Sequence, residues 1–373
     1  MSLPDQTAGS AASVEAKNLR PSAVSLPPVE APTGSFILQL FLIPLLIVSL
    51  IVLLWLAFSW LGGRGDSDPK QLVAELGKGS EHSWQRAYEL AERLRNPDPR
   101  HDALRQDHEF AQKLAAILDD DSRASAAAQE TFSPAASWQM GVRAKRRLFL
   151  CRALGAFQVT DGLPALVRCA AQDRGALDAE VRLSALEAIA LLASSAGGEK
   201  ILECPDAAPT LLACSRLDDG ADSPVAGDYS PPREIRAVAA YALGVIGGEA
   251  GRQRLVEMLL DSYSNARYNA ATGLARQGDA RAIPVLQEML DPHNSLAGKD
   301  ETWDADRQRK RTTVLFNGVK ASLLLLKKNH QAPREELQKS LAALAAADLA
   351  NITIDRANLK SAAADAAAKL SAP

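Results

Sequence analysis

The sequence predicts an all-α protein, an α-solenoid of helical hairpins preceded by one transmembrane helix. Three observations lead there. The run FILQLFLIPLLIVSLIVLLWLAFSW, residues 36–60, carries no charge. From residue 70 onward the chain is a series of Ala- and Leu-rich stretches whose apolar residues recur three, four and seven apart, with no alternating run of Val, Ile or aromatic residues. One pattern also returns four times in the same register: an arginine, then a small–apolar–small triplet beginning six residues later.

Taken in order, residues 1–34 are rich in Pro, Ser and Ala, hold no aromatic residue and show neither helical nor strand period. Such a segment cannot bury enough apolar surface to offset its ordering entropy, so a disordered tail is expected. Residues 35–63 are expected to form the transmembrane helix. The 25 residues 36–60 would span about 37 Å at roughly 1.5 Å per residue, enough to cross a hydrocarbon core of about 30 Å. Trp55 and Trp60 fall near the far end, where rings favour the interface. A cleavable leader is the poorer fit, because 35 residues precede the run and no A-x-A site follows it. Lys17 and Arg20 flank it on one side and Arg64, Lys70 and Lys78 on the other. That tilts the positive-inside rule toward a cytoplasmic C-terminal part, as do the unpaired cysteines, whereas a lone N-terminal anchor often leaves its large domain outside. The sequence leaves the side of residues 64–373 open. Residues 64–79 read as a juxtamembrane linker.

The solenoid is expected over residues 80–356. ARYNAATGLARQGDARAIPVLQEMLD, residues 266–291, holds two amphipathic helices: Tyr268, Ala271, Leu274 and Ala275 form one stripe, and Ile283, Leu286, Met289 and Leu290 the next. Gly278 suits a left-handed closure of the first helix, Asp279 a cap on the second, and Pro284 is tolerable only near that helix's start. Arg147, Arg182, Arg236 and Arg267 lead to Ala153–Gly155, Ala188–Ala190, Ala242–Gly244 and Gly273–Ala275 respectively. A helix pair of this kind cannot bury its apolar side alone and needs a neighbour on each flank. Small residues in the triplet let helices approach. The four arginines would line one edge of successive units, and a structural ladder with acids such as Asp178 is preferred over a ligand clamp. Beyond about residue 356 the apolar face thins, and a frayed helix or tail is expected over 357–373.

These stretches resemble the HEAT repeats, especially the short bacterial HEAT-like form with VR-x-x-A-x-x-AL-G in its first helix and D-x-RAIP-x-L in its second. VRLSALEAIALLA (181–193), IRAVAAYALGVIGG (235–248) and residues 266–291 match closely, and RRLFLCRALGAFQVTDGLPALV (146–167) nearly so. HSWQRAYELAERL (82–94) and RTTVLFNGVKASLLLL (311–326) look like degenerate end repeats. The resemblance implies a right-handed α-solenoid and a protein-binding scaffold. Some such repeats occur in enzymes that attach bilin chromophores, but the motif carries no catalytic residue to transfer.

Residue chemistry points away from catalysis and cofactors. No GxSxG, HExxH or GxxxxGK[ST] occurs. The histidines, at 82, 101, 108, 293 and 330, are scattered; His101 and His108 could share a helix face but lack a third ligand. Asp119–Asp121 and Asp218–Asp219 read as loop or helix-end solubilisers without calcium-loop spacing. Cys151, Cys169, Cys204 and Cys214 form neither a disulfide framework nor a zinc signature. With 42 basic and 45 acidic residues, net −3, and RQRKR at 307–311 read as a solvated loop entering a helix, no nucleic-acid surface is expected. The insertions at 119–140, 194–209, 217–233 and 291–308 are the candidate binding face, and Trp138, Tyr229 and Trp303 within them the candidate partner anchors. The expectation is a single-pass, membrane-anchored scaffold whose protein partner the sequence does not name. A HEAT-like lyase acting on a small molecule and a self-associating envelope protein are the alternatives.

Overall fold

The computed structural model describes residues 34–63, 69–77, 82–127, 141–173, 178–216, 231–350, 352 and 354–371. The tail expectation for residues 1–33 and the loop residues Trp138, Asp218, Asp219 and Tyr229 lie outside them. The chain divides into two compact units, Met1–Asp66 and Ser67–Pro373.

The first unit holds helix α1, Gly34–Gly63. Its segment Leu40–Phe58 is long and apolar enough to cross a membrane, and none of it is buried within the protein. Leu45, Ile47, Leu50, Leu53 and Trp55 all stand exposed around it. Apolar side chains on every face leave such a helix no water-facing side. Pro44 sits inside the helix without ending it.

The second unit is entirely helical or irregular among its described residues. Six helices, α3 (Ser83–Arg95), α6 (Val142–Gly155), α8 (Ala179–Ala196), α11 (Pro231–Ile246), α13 (Ser264–Arg276) and α15 (Asp304–Lys328), pack each against the next. They are the first helices of successive pairs. The second helices are α5 (His108–Ala127), α7 (Leu163–Ala171), α10 (Ala207–Cys214), α12 (Glu249–Glu257), α14 (Ile283–Leu290) and α16 (Arg334–Ala346), preceded in two pairs by the short helices α4 (Asp102–Arg105) and α9 (Gly198–Leu202). α7, α12 and α14 each lie against both the first helix of their own pair and that of the pair following. The apolar face of every pair is therefore closed by a neighbour, which makes one continuous core from Leu90 to Leu344.

The triplets sit where first helices cross. A Cβ built on Gly244 would lie 2.5 Å from the Cα of Gly273, and one on Gly155 2.7 Å from the Cα of Ala188. The last residue of one triplet thus meets the first residue of the next at backbone distance. Polar staples repeat too: Ser184 Oγ donates to the Leu148 carbonyl at 3.1 Å, and Asn269 Nδ2 to the Ala237 carbonyl at 2.8 Å. Both donors stand two residues after a repeat arginine, and both acceptors one residue after the preceding one. In the unit at 266–291 both expected stripes are buried. Gly278 has φ +80° at the end of α13, Asp279 accepts the Arg281 N–H at 3.0 Å, and Pro284 enters at the first turn of α14.

Several local readings change. Residues 119–127 form helix rather than loop, because α5 continues through the three aspartates to Ala127, with Asp121 buried against Arg146 of α6. RQRKR lies within the first turns of α15, not in a loop. Inside the stretch expected as a linker, α2 (Pro69–Leu76) buries Leu72 and Leu76 and packs on α3 and α5. Where fraying is expected, α17 (Arg356–Ser371) packs on α16 and α15 with Leu359, Ala363 and Ala366 fully buried. Its face is narrow because it is made largely of alanine, yet it keeps the four- and three-residue spacing of a helix stripe.

Candidate interaction surface

The four repeat arginines engage the segments that join one pair to the next. Arg147 donates to Asp178 at 3.0 Å, both groups 1% exposed, and Asp178 immediately precedes α8. Arg236 grips Asp261 with two bonds of 2.7 and 3.0 Å, and Asp261 lies between α12 and α13. Arg267 donates to the Asp261 carbonyl at 2.7 Å and to Glu288 at 2.6 Å. Arg182 donates to the Ala170 carbonyl at 3.1 Å and pairs with Asp173. Arg146, which the repeat pattern does not single out, links Asp121, Ser83 and the Leu76 carbonyl, tying α5, α3 and α2 to α6. Planar, permanently charged guanidinium suits such multi-donor junctions.

Of the three loop rings expected as anchors, Trp303 is the one within the described residues. It is 72% exposed and immediately precedes α15. Leu260, 90% exposed between α12 and α13, lies on a connecting segment of the same kind. Ser264 Oγ donates to the Leu296 carbonyl at 3.3 Å and Arg233 to Asp300 at 3.2 Å, joining the 291–303 loop to the starts of α13 and α11. Tyr263 is buried beneath this edge, its hydroxyl bonded to Glu234 and its ring under the Arg233 guanidinium at 4.5 Å. Burial and the Glu234 carboxylate push its phenol far above the ordinary range.

A second apolar surface lies on the first helices, and sequence reasoning misses it. Phe149, Val238, Tyr241, Val245 and Phe316 pack on the core while staying part-exposed, and Tyr88 and Leu191 are exposed outright. Counted from the repeat arginine of their own helix, Phe149 and Val238 stand at the second position, Tyr241 at the fifth, and Leu191 and Val245 at the ninth. These offsets put them on one side of successive parallel helices. Cations rest on the rings: Lys145 over Trp84 at 5.2 Å, Arg152 over Phe149 at 5.5 Å and Arg276 over Tyr241 at 6.0 Å. On the second helices Lys113 pairs with Glu109, Arg168 with Asp119, Arg252 with Glu249 and Arg254 with Glu257.

Nothing among the described residues gathers three metal-ligating side chains. His101 ends a short turn before α4, while His108 opens α5 and meets Asp161 at 2.6 Å, so the two do not share a helix face. All four cysteines are free. Contact with the Cys169 thiol, together with burial, raises the Cys151 thiol, while Cys169 is lowered by that same contact, and burial raises Cys214. One cavity of about 510 Å³ is lined by Asp119, Ser122, Arg123, Ala126, Arg168 and Gln172, with Arg168 and Arg123 already paired to Asp119 and Asp120.

No curated protein matches the sequence. Among solved structures, a crystal structure of an engineered protein is 20% identical over 68% of this chain and 98% of its own, with a TM-score of 0.38. Residues 225–297, which hold α11 to α14 and the 266–291 unit, match the family of HEAT repeats.

Proposed function

We propose that the chain is a membrane-anchored scaffold: α1 holds it in a bilayer, the helical repeats hold a protein partner, and it performs no catalysis of its own. The observation that carries the reading is the row of part-exposed rings and aliphatic side chains on successive first helices. Aromatic residues and arginine are over-represented in the buried centres of interfaces, and solenoids offer extended surfaces of this kind. Trp303, with Trp138 and Tyr229, supplies further partner contacts from the insertions. Arg147, Arg182, Arg236 and Arg267 serve the stack rather than a ligand, since acids and carbonyls from the joints engage each guanidinium. The excess of nearby basic residues after the span favours the cytoplasmic side for residues 64–373.

The test is photo-crosslinking in the native membrane, with a photoreactive residue in place of Tyr88 and, separately, of Trp303. Capture of a distinct protein is the expected result. Capture of copies of the chain alone would replace the scaffold with a self-associating structural protein. Resistance of the chain to alkaline carbonate extraction, lost on deletion of residues 34–63, is expected of the anchor.

A further inference from the structure

The three rings at the α3–α6 end of the row form one cluster. Phe149 stacks on Trp84 with centroids 6.3 Å apart and planes at 24°, and meets Tyr88 edge-on at 5.1 Å and 73°. Tyr88 is 47% exposed, and Trp84 and Phe149 are half-buried. Lys145 and Arg152, one turn either side of Phe149 on α6, lie against this cluster. Among the described residues neither has a carboxylate within ion-pair distance, whereas the neighbouring arginines of α3 all do: Arg86 with Glu75, Arg93 with Glu89 and Arg95 with Glu92. The acid at the position on α8 equivalent to Arg152 is Glu187. The chain as a whole is net −3, so a pair of cations without counter-charge is a local feature rather than a reflection of composition.

We propose that this cluster receives an acidic, apolar-bearing segment of a partner protein, a carboxylate meeting Lys145 and Arg152 while an apolar side chain packs against the rings of Tyr88, Phe149 and Trp84. The proposal rests on the scaffold reading and names the partner's chemistry. A ring face attracts a cation but leaves its charge uncompensated, and a carboxylate completes it. Rings already packed on one another lose little freedom on binding, which is what an interface anchor requires. An anionic lipid surface shares part of this chemistry. It is the poorer occupant, because lipid recognition by basic clusters takes roughly 4–8 Lys or Arg where this cluster presents two, and the rings stack into one another instead of splaying outward.

The experiment uses the full chain in phosphatidylcholine nanodiscs. The probes are two labelled amphipathic helical peptides, one with Glu along its polar face and Leu and Trp opposite, the other with Lys replacing each Glu, read by fluorescence anisotropy. The Glu peptide is expected to bind at least about tenfold tighter, and Tyr88→Ser, a change at an exposed side chain, to weaken it about tenfold. In the double variant Lys145→Glu, Arg152→Glu the preference is expected to reverse, the Lys peptide binding and the Glu peptide not. That reversal cannot come from misfolding. An unchanged preference in the double variant, or displacement of the Glu peptide by phosphatidylserine vesicles with the same dependence on Arg152, would overturn the proposal. Crosslinking from position 88 reads the scaffold independently: a captured protein together with a failed reversal leaves the scaffold standing and removes this partner class.

Discussion

At Gly244 a single hydrogen decides how close α11 and α13 come. The Cβ of an alanine there would meet the Gly273 Cα, a backbone atom with no rotamer to yield, so Gly244→Ala must separate the two helices. A loss of about 1–3 kcal/mol is expected, read as a lowered thermal midpoint by circular dichroism; an unchanged midpoint would mean that the crossing is slack. Asp261 is the second such position. It takes both bonds from the buried Arg236 and also the Tyr263 N–H at 2.9 Å. Asp261→Ala takes this carboxylate and its two bonds away from a buried guanidinium, and about 3–5 kcal/mol is expected to be lost in denaturant unfolding. Adding Arg236→Met should restore most of it, because an apolar pair of similar volume removes the buried charge. If the double variant were no better than the single, the pair would not be the unit of stability.

Among the elements, α14 was the most legible. Its stripe Ile283, Leu286, Met289, Leu290, the entry of Pro284 and the cap at Asp279 all follow from local spacing, which a sequence displays directly. Asp279 makes its cap testable by pH. The Arg281 guanidinium hydrogen-bonded to it holds its carboxyl below the ordinary 3.8, so its contribution to stability is complete above that value and drains as pH falls below it through the lowered folded-state value. Asp279→Asn keeps a capping oxygen but cannot titrate. Its unfolding midpoint should therefore fall less steeply with pH below about 4 than the parent's. Equal slopes would show that the carboxylate is no better held folded than unfolded. What the sequence hid was cross-chain. The aspartates of α5 look like loop because aspartate disfavours helix interiors, and the Arg146 that receives Asp121 lies 25 residues on. The rings Tyr88, Phe149 and Tyr241 were hidden for a different reason. A ring on an Ala-rich amphipathic helix reads as core; the register counted from the repeat arginine places Phe149 and Tyr241 on the outer side, while α3, which holds Tyr88, carries no repeat arginine to count from.

For the solenoid unit as a whole, stability is a sum of pairs and the joints between them, so its ends are where it opens first. Removing α17 by ending the chain at Asp355 takes Leu359, Ala363 and Ala366 off α15 and α16. Native-state hydrogen exchange is expected to show protection lost across α15 and α16 while α6 and α8 keep theirs; a uniform loss across all helices would mark one indivisible cooperative block. The arginine joints also bear on how such an array can change length. Arg147 and Arg236 find their carboxylates, Asp178 and Asp261, only at the threshold of the following pair. A pair cut out at its helix boundaries would therefore part these two arginines from Asp178 and Asp261 at the scar, whereas a cut running from Arg147 or Arg236 to the next repeat arginine carries that acid along. The heritable module is thus offset from the visible hairpin: it begins within the first two turns of one first helix and ends at the same place in the next.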